Sequence, residues 1–164
     1  MEPKKRAPFH RSLGYAWLGV ISHMQKERNL RIHFALLQCL TAFDVVIQPP
    51  LGETALGVVA AGTVIGMELV NSAVEASIDL IAGDQRHPLA KEAKDAAAGA
   101  VLVVSAAALM VALYLALANW PWHVNVLVHV RWKSMTLMGG FDLAAWIAWW
   151  RASVFGRTQN SHSA

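Results

Sequence analysis

Glu68, Asn71, Glu75 and Asp79 stand at steps of three, four and four along the chain. In a helix that spacing puts all four on one face. The stripe is then roughly 16 Å long, at about 1.5 Å per residue. Its surroundings are apolar: Ala55–Met67, just before it, carries no charge. A charged side chain deep in a bilayer costs about 2.5 kcal/mol or more on insertion scales. Three carboxylates on such a stripe must face other helices, a metal, another cation or water. The plain alternative to chemistry is an ion-paired helix interface. The stripe grades from apolar to wet, with Glu68 deepest and Asp79 next to a basic loop. Glu68 suits a proton acceptor. Glu75 suits a hard cation such as magnesium, which takes one or two carboxylates and completes its shell with phosphate oxygens and water.

Further polar residues lie close by in sequence. Lys94 could neutralise phosphate as a point charge. Asp95 sits where it could cap a following apolar helix. Glu27 begins the run Glu27-Arg28-Asn29 and, taken alone, reads as an interfacial charge paired to Lys26 or Arg31. The seven histidines are scattered, and His33 and His87 read as interfacial or hydrogen-bonded. Neither a phosphate-binding Gly-rich loop nor a His/Cys cluster with metal spacing occurs.

The elements that must hold these residues are membrane elements. Of the 164 residues, 55% are hydrophobic and only 15% charged, and the mean hydropathy is +0.38. That composition excludes disorder, and the single cysteine, Cys39, excludes a disulfide scaffold. Apolar stretches at Leu30–Ile47, Thr54–Ile81 and Ala96–Ala118 are long enough to span a bilayer, and lipid forces them to be helical. The small residues Ala96-Ala97-Ala98-Gly99-Ala100 would let the third span pack closely on the second. Lys and Arg cluster before the first span and between Arg86 and Lys94, whereas Gln48–Glu53 has none. The positive-inside rule then places the N-terminus and the longer loop in the cytoplasm. Phe9–Lys26 carries apolar residues at Leu13, Trp17, Val20, Ile21 and Met24, as expected of an amphipathic helix on the membrane surface. The tail from Asn119 is rich in Trp, and Met135–Phe155 reads equally as an interfacial helix or a short fourth span. The expected fold class is therefore all-α integral membrane: a surface helix, three transmembrane helices and a Trp-rich C-terminal extension. Residues 1–118 would form one domain and 119–164 an extension of unassigned role.

Glu68-Leu69-Val70-Asn71-Ser72-Ala73-Val74-Glu75, followed by Asp79, resembles the signature of the small prokaryotic membrane kinases that phosphorylate diacylglycerol or undecaprenol. Lys91-Glu92-Ala93-Lys94-Asp95-Ala96-Ala97-Ala98-Gly99-Ala100-Val101 resembles their second motif. His87-Pro88-Leu89-Ala90, Gly14-Tyr15-Ala16-Trp17 and Glu27-Arg28-Asn29 also match. The similarity covers roughly residues 9–118. It implies an ATP-dependent lipid kinase of the bacterial inner membrane, assembled as a homotrimer, with active sites at the membrane–cytoplasm boundary between subunits. Magnesium would serve as cofactor and ATP as co-substrate, with no nucleic-acid partner. By the same resemblance Glu68 is the catalytic base, and Glu27 and Glu75 hold the metal. Tyr15, Glu27, Glu75, Gln85, Arg86, His87, Lys94 and Asp95 contact ATP, while Glu68 and Asn71 meet the lipid. The resemblance thus replaces the ion-pair reading of Glu27. Diacylglycerol, converted to phosphatidic acid, is the expected substrate, with undecaprenol as the alternative. The reading of another class is a non-enzymatic membrane protein with a carboxylate relay.

Overall fold

A computed structural model describes residues 8–83, 87–122, 139–140, 142–143 and 146–147. The described residues are helical, with no strand among them. α1 spans Phe9–Lys26, α2 Arg28–Ile47, α3 Leu51–Ala82 and α4 Pro88–Ala118. The last three are long and apolar enough to cross a membrane. Most of the segment Met135–Phe155, read as an interfacial helix or a fourth span, lies outside the described residues.

α1 has the expected bounds and lies against the start of α2 and the middle of α3. Met24 is buried, and Trp17, Val20 and Ile21 pack with it over Leu30, Leu37 and Ile65. Leu13, expected on the same apolar face, is instead 61% exposed. α1 and α2 are separated only by Glu27, whose extended backbone (φ −91°, ψ 117°) breaks the helix. α2 ends at Gln48, held in the left-handed region at φ 55°. Pro49 and Pro50 cannot continue a helix there, and α3 turns back from Leu51.

α3 is the centre of the bundle, with α4 packed along it and α2 on its other flank. Its buried positions Thr54, Gly57, Val64, Ile65, Glu68 and Ser72 recur at helical spacing. Leu30, Leu37 and Asp44 do the same on α2. A close approach lies at Gly57, where a Cβ would be 3.2 Å from both Leu40 methyls and 3.3 Å from Leu115 Cδ1. Around Gly99, in the small-residue run expected to give close packing, there is open space.

α4 begins at Pro88, eight residues before the expected span at Ala96. His87 caps it, with Nδ1 accepting the backbone N–H of Leu89 at 3.2 Å, and Pro88 opens the first turn. Asp95 therefore lies in the second turn and not at the cap, which corrects its reading as a capping residue. Helix length explains the difference. A bilayer core about 30 Å thick needs roughly 20 helical residues, whereas α3 has 32 and α4 has 31. Counted from Leu51 and back from Ala118, the hydrocarbon ends near Asn71 on α3 and near Gly99 on α4, at about 1.5 Å per residue. Both helices continue beyond it as a polar-faced pair. Large side chains such as Leu102, Leu109 and Leu117 are 66–71% exposed on α4, as expected for a surface facing lipid or another subunit.

Gly57→Leu should overpack the contact with Leu40 and Leu115. A loss of about 1–3 kcal/mol is expected, read as a lowered unfolding midpoint in detergent.

Candidate active site

The buried face of α3 carries Glu68 into the bundle. It is 5% exposed, and its Oε1 lies 3.3 Å from Nε2 of His33 on α2. His33 stands three residues after buried Leu30 and four before buried Leu37, so it shares their face.

One turn further along α3, Asn71 and Glu75 are half-buried and joined to each other. Asn71 Nδ2 donates to Glu75 Oε1 at 2.9 Å. Asn71 Oδ1 is buried with no hydrogen-bond partner, an acceptor open to an incoming donor. Asp79 comes last, with its side chain 66% exposed and paired to Lys94 of α4. Lys91 and Asp95 make a further, exposed pair one turn apart on α4. The four stripe residues therefore run from buried to wet in the expected order. They do not share one environment: Glu68 faces α2, Asn71 and Glu75 pair with each other, and Asp79 reaches α4.

Asp79, His87, Lys91, Lys94 and Asp95 line a cavity of about 630 Å³ where the end of α3 meets the start of α4. Its charged lining residues put two ammonium groups beside two carboxylates, amid apolar walls that include Ile78 and Pro88. On the membrane side, an apolar groove of about 510 Å³ runs between α2, α3 and α4, from His33 towards Phe43 and Leu115. His33 is thus both the polar head of the groove and the neighbour of Glu68.

The other candidates are placed less closely. Glu27 sits at the α1–α2 break, half-buried and without a side-chain capping bond. Of its two expected partners, Lys26 and Arg31, neither pairs with it among the described residues, and Arg31 donates instead to the Gln25 carbonyl at 3.1 Å. That corrects the ion-pair reading of Glu27 and leaves the carboxylate open to a cation. Tyr15 is 66% exposed on α1 and has no hydrogen bond or ion pair among the described residues. Gln85 and Arg86 lie outside the described residues. No three His, Cys, Asp or Glu side chains gather as a ready metal cage among the described residues. Magnesium does not need one, since one or two carboxylates and the phosphates of its nucleotide suffice. Glu75, with one oxygen held by Asn71 and the other open, fits that demand.

Sequence reasoning gives His33 only as interfacial or hydrogen-bonded and does not assign it to the site. Its signal was its place on the apolar face of α2, in line with Leu30 and Leu37, where a titratable side chain needs a partner.

Comparison with known proteins accounts for this arrangement. The family model for prokaryotic diacylglycerol kinase matches residues 14–116. A diacylglycerol kinase of Synechocystis is 40% identical over 101 residues, 61% of this chain and 57% of that protein. The chain thus aligns with little more than half the length of that relative. An undecaprenol kinase of Bacillus subtilis is 34% identical over 105 residues, covering 64% of this chain and 85% of its own length. A diacylglycerol kinase of Pseudomonas aeruginosa is 32% identical over 90 residues, 55% of this chain and 72% of its own. The matched segment takes in α1 from its second turn, all of α2 and α3, and α4 almost to its end. With its carboxylate helix and basic helix start set as described, the chain belongs to the prokaryotic diacylglycerol kinase family.

Proposed function

We propose that this chain moves the γ-phosphate of ATP to the hydroxyl of a membrane lipid alcohol. The observation that carries the reading is the position of Glu68. It is a buried carboxylate on α3, beside His33 at the head of the apolar groove and about three turns before Asp79 at the cavity between the ends of α3 and α4. A lipid hydroxyl can approach from the bilayer and a nucleotide from the aqueous side.

The chemistry asks for positioning, charge neutralisation and a proton acceptor. In this reading Glu68 takes the proton from the lipid hydroxyl as its oxygen bonds to the γ-phosphorus. The bond from that phosphorus to the bridging oxygen of ADP breaks, and ADP leaves with the electron pair. Lys94 neutralises phosphate charge, exchanging its contact with Asp79 for the nucleotide. Glu75 and Glu27 would hold magnesium, which offsets charge on the phosphate oxygens. Asn71 orients Glu75 and offers its free Oδ1 near the lipid hydroxyl. His87, Lys91 and Asp95 shape the nucleotide cavity.

Two lipid alcohols fit the family, and relatives named for each are similar to this chain. Diacylglycerol, giving phosphatidic acid, is our first reading. The undecaprenol kinase of Bacillus subtilis aligns over more of its own length, and this supports undecaprenol as the second. We also place the basic end of the bundle, with the N-terminus, on the cytoplasmic side of the bacterial inner membrane. A homotrimer would cover part of the exposed apolar surface of α2 and α4.

Labelled ATP offered with diacylglycerol or undecaprenol in separate lipid–detergent micelles should label one lipid. Chelation of magnesium should stop transfer, and added magnesium should restore it. No transfer to either alcohol from the folded protein would overturn the reading. Lys94→Ala should raise the KM for ATP by about 10-fold or more, since a hydrogen bond to a charged group contributes about 1.5–3 kcal/mol. An unchanged KM would remove Lys94 from the nucleotide site.

A further inference from the structure

We propose that His33 is a positioning residue for the reaction. It holds Oε1 of Glu68, so that the other oxygen faces the lipid hydroxyl arriving along the apolar groove. This inference rests on the kinase reading of Glu68.

The argument begins with burial. The Glu68 side chain is 6% exposed and that of His33 is 19% exposed. A carboxylate in such a place is strongly disfavoured unless a donor or a cation meets it. His33 Nε2 stands 3.3 Å from Oε1. No other described side chain lies within ion-pair distance of Glu68. Oε2 has no partner among the described residues, which leaves it open to a substrate proton. The imidazole can donate from Nε2 whether neutral or protonated. In this structure the two groups stand at ion-pair distance without a hydrogen bond, and catalytic contacts are often long before substrate arrives and tighten in the complex.

Location is the second argument. His33 lines the groove between α2, α3 and α4, whose other walls include Leu37, Leu40, Val64 and Ala108. Along α2 the groove runs from His33 to Phe43, about 15 Å at ~1.5 Å per residue. A lipid tail in it would end with its polar head at His33. The imidazole therefore touches both the apolar path and the carboxylate. Rotating Glu68 away would take Oε2 out of line with the attacking oxygen. A misplacement of about 1 Å can lower a rate by roughly 100-fold.

The balance of the step is that of the kinase reaction. One proton passes from the lipid hydroxyl to Oε2 of Glu68, the new P–O bond forms, and the P–O bond to ADP breaks. His33 keeps its own proton throughout.

The test compares the parent chain with His33→Ala and His33→Gln in the labelled-ATP assay, with unfolding midpoints measured on the same preparations. Gln can place an amide N–H close to where Nε2 stands. His33→Ala should lower kcat by about 10- to 100-fold while the KM for ATP stays near the parent value. His33→Gln should recover most of the lost kcat. Full kcat in His33→Ala, with the parent active, would overturn the role of His33 and leave the kinase reading standing. Equal losses in both variants with lowered midpoints would assign His33 to folding alone and also overturn it. No transfer by the parent to either lipid alcohol would remove the kinase reading and this inference with it.

Discussion

The burial of one carboxylate governs the arrangement. Glu68 is almost fully enclosed at the depth where the hydrocarbon ends. Water cannot solvate it well there, so the protein has to supply polar company. His33 comes from α2 to meet it, and α2 can bring that side chain in only because Leu30 and Leu37 on the same face dock it against the bundle. The surface helix α1 adds Met24 and Trp17 to the same apolar cluster. The packing of α1 and α2 and the environment of Glu68 are therefore one problem with one solution.

In the proposed reaction, helix length would solve a second problem, that of bringing two immiscible substrates together. A helix that stopped at the membrane surface would present Glu68 to lipid and nothing to a nucleotide. α3 and α4 both continue past the hydrocarbon, and Asp79 and Lys94 tie the two extensions together. An exposed pair of this kind contributes little stability, about 1 kcal/mol or less. Its value lies in place: it holds an ammonium group beside the carboxylate helix, where phosphate would sit. At the far end, Gly57 lets α3 close against Leu40 and Leu115 and fixes the bundle that the polar end relies on.

Much of this was legible in the sequence. The steps between Glu68, Asn71, Glu75 and Asp79 show the stripe directly, and the bounds of α1 follow from its apolar spacing. The start of α4 was hidden because Lys91, Glu92, Lys94 and Asp95 look like loop when hydrophobicity alone is read. The signal that helicity continues is His87-Pro88, a cap followed by a proline at the first helical position. His33 reads from the sequence only as interfacial or hydrogen-bonded, because a lone histidine carries no motif. Only its register with Leu30 and Leu37 marks it as inward-facing, and only the packing of α2 on α3 names Glu68 as its neighbour. Glu27 is the reverse case. Local charge suggests a partner in Lys26 or Arg31, but Arg31 donates to the Gln25 carbonyl.

The most direct test of the account is the behaviour of Glu68→Gln on a single preparation, with ATP binding and phosphate transfer to lipid measured side by side. Gln keeps the size of the side chain and removes its capacity to take a proton. The account predicts ATP binding close to that of the parent chain and no detectable transfer to the lipid. Continued transfer would contradict it, and so would the joint loss of ATP binding and folding, since either would mean that the buried carboxylate is not the acceptor.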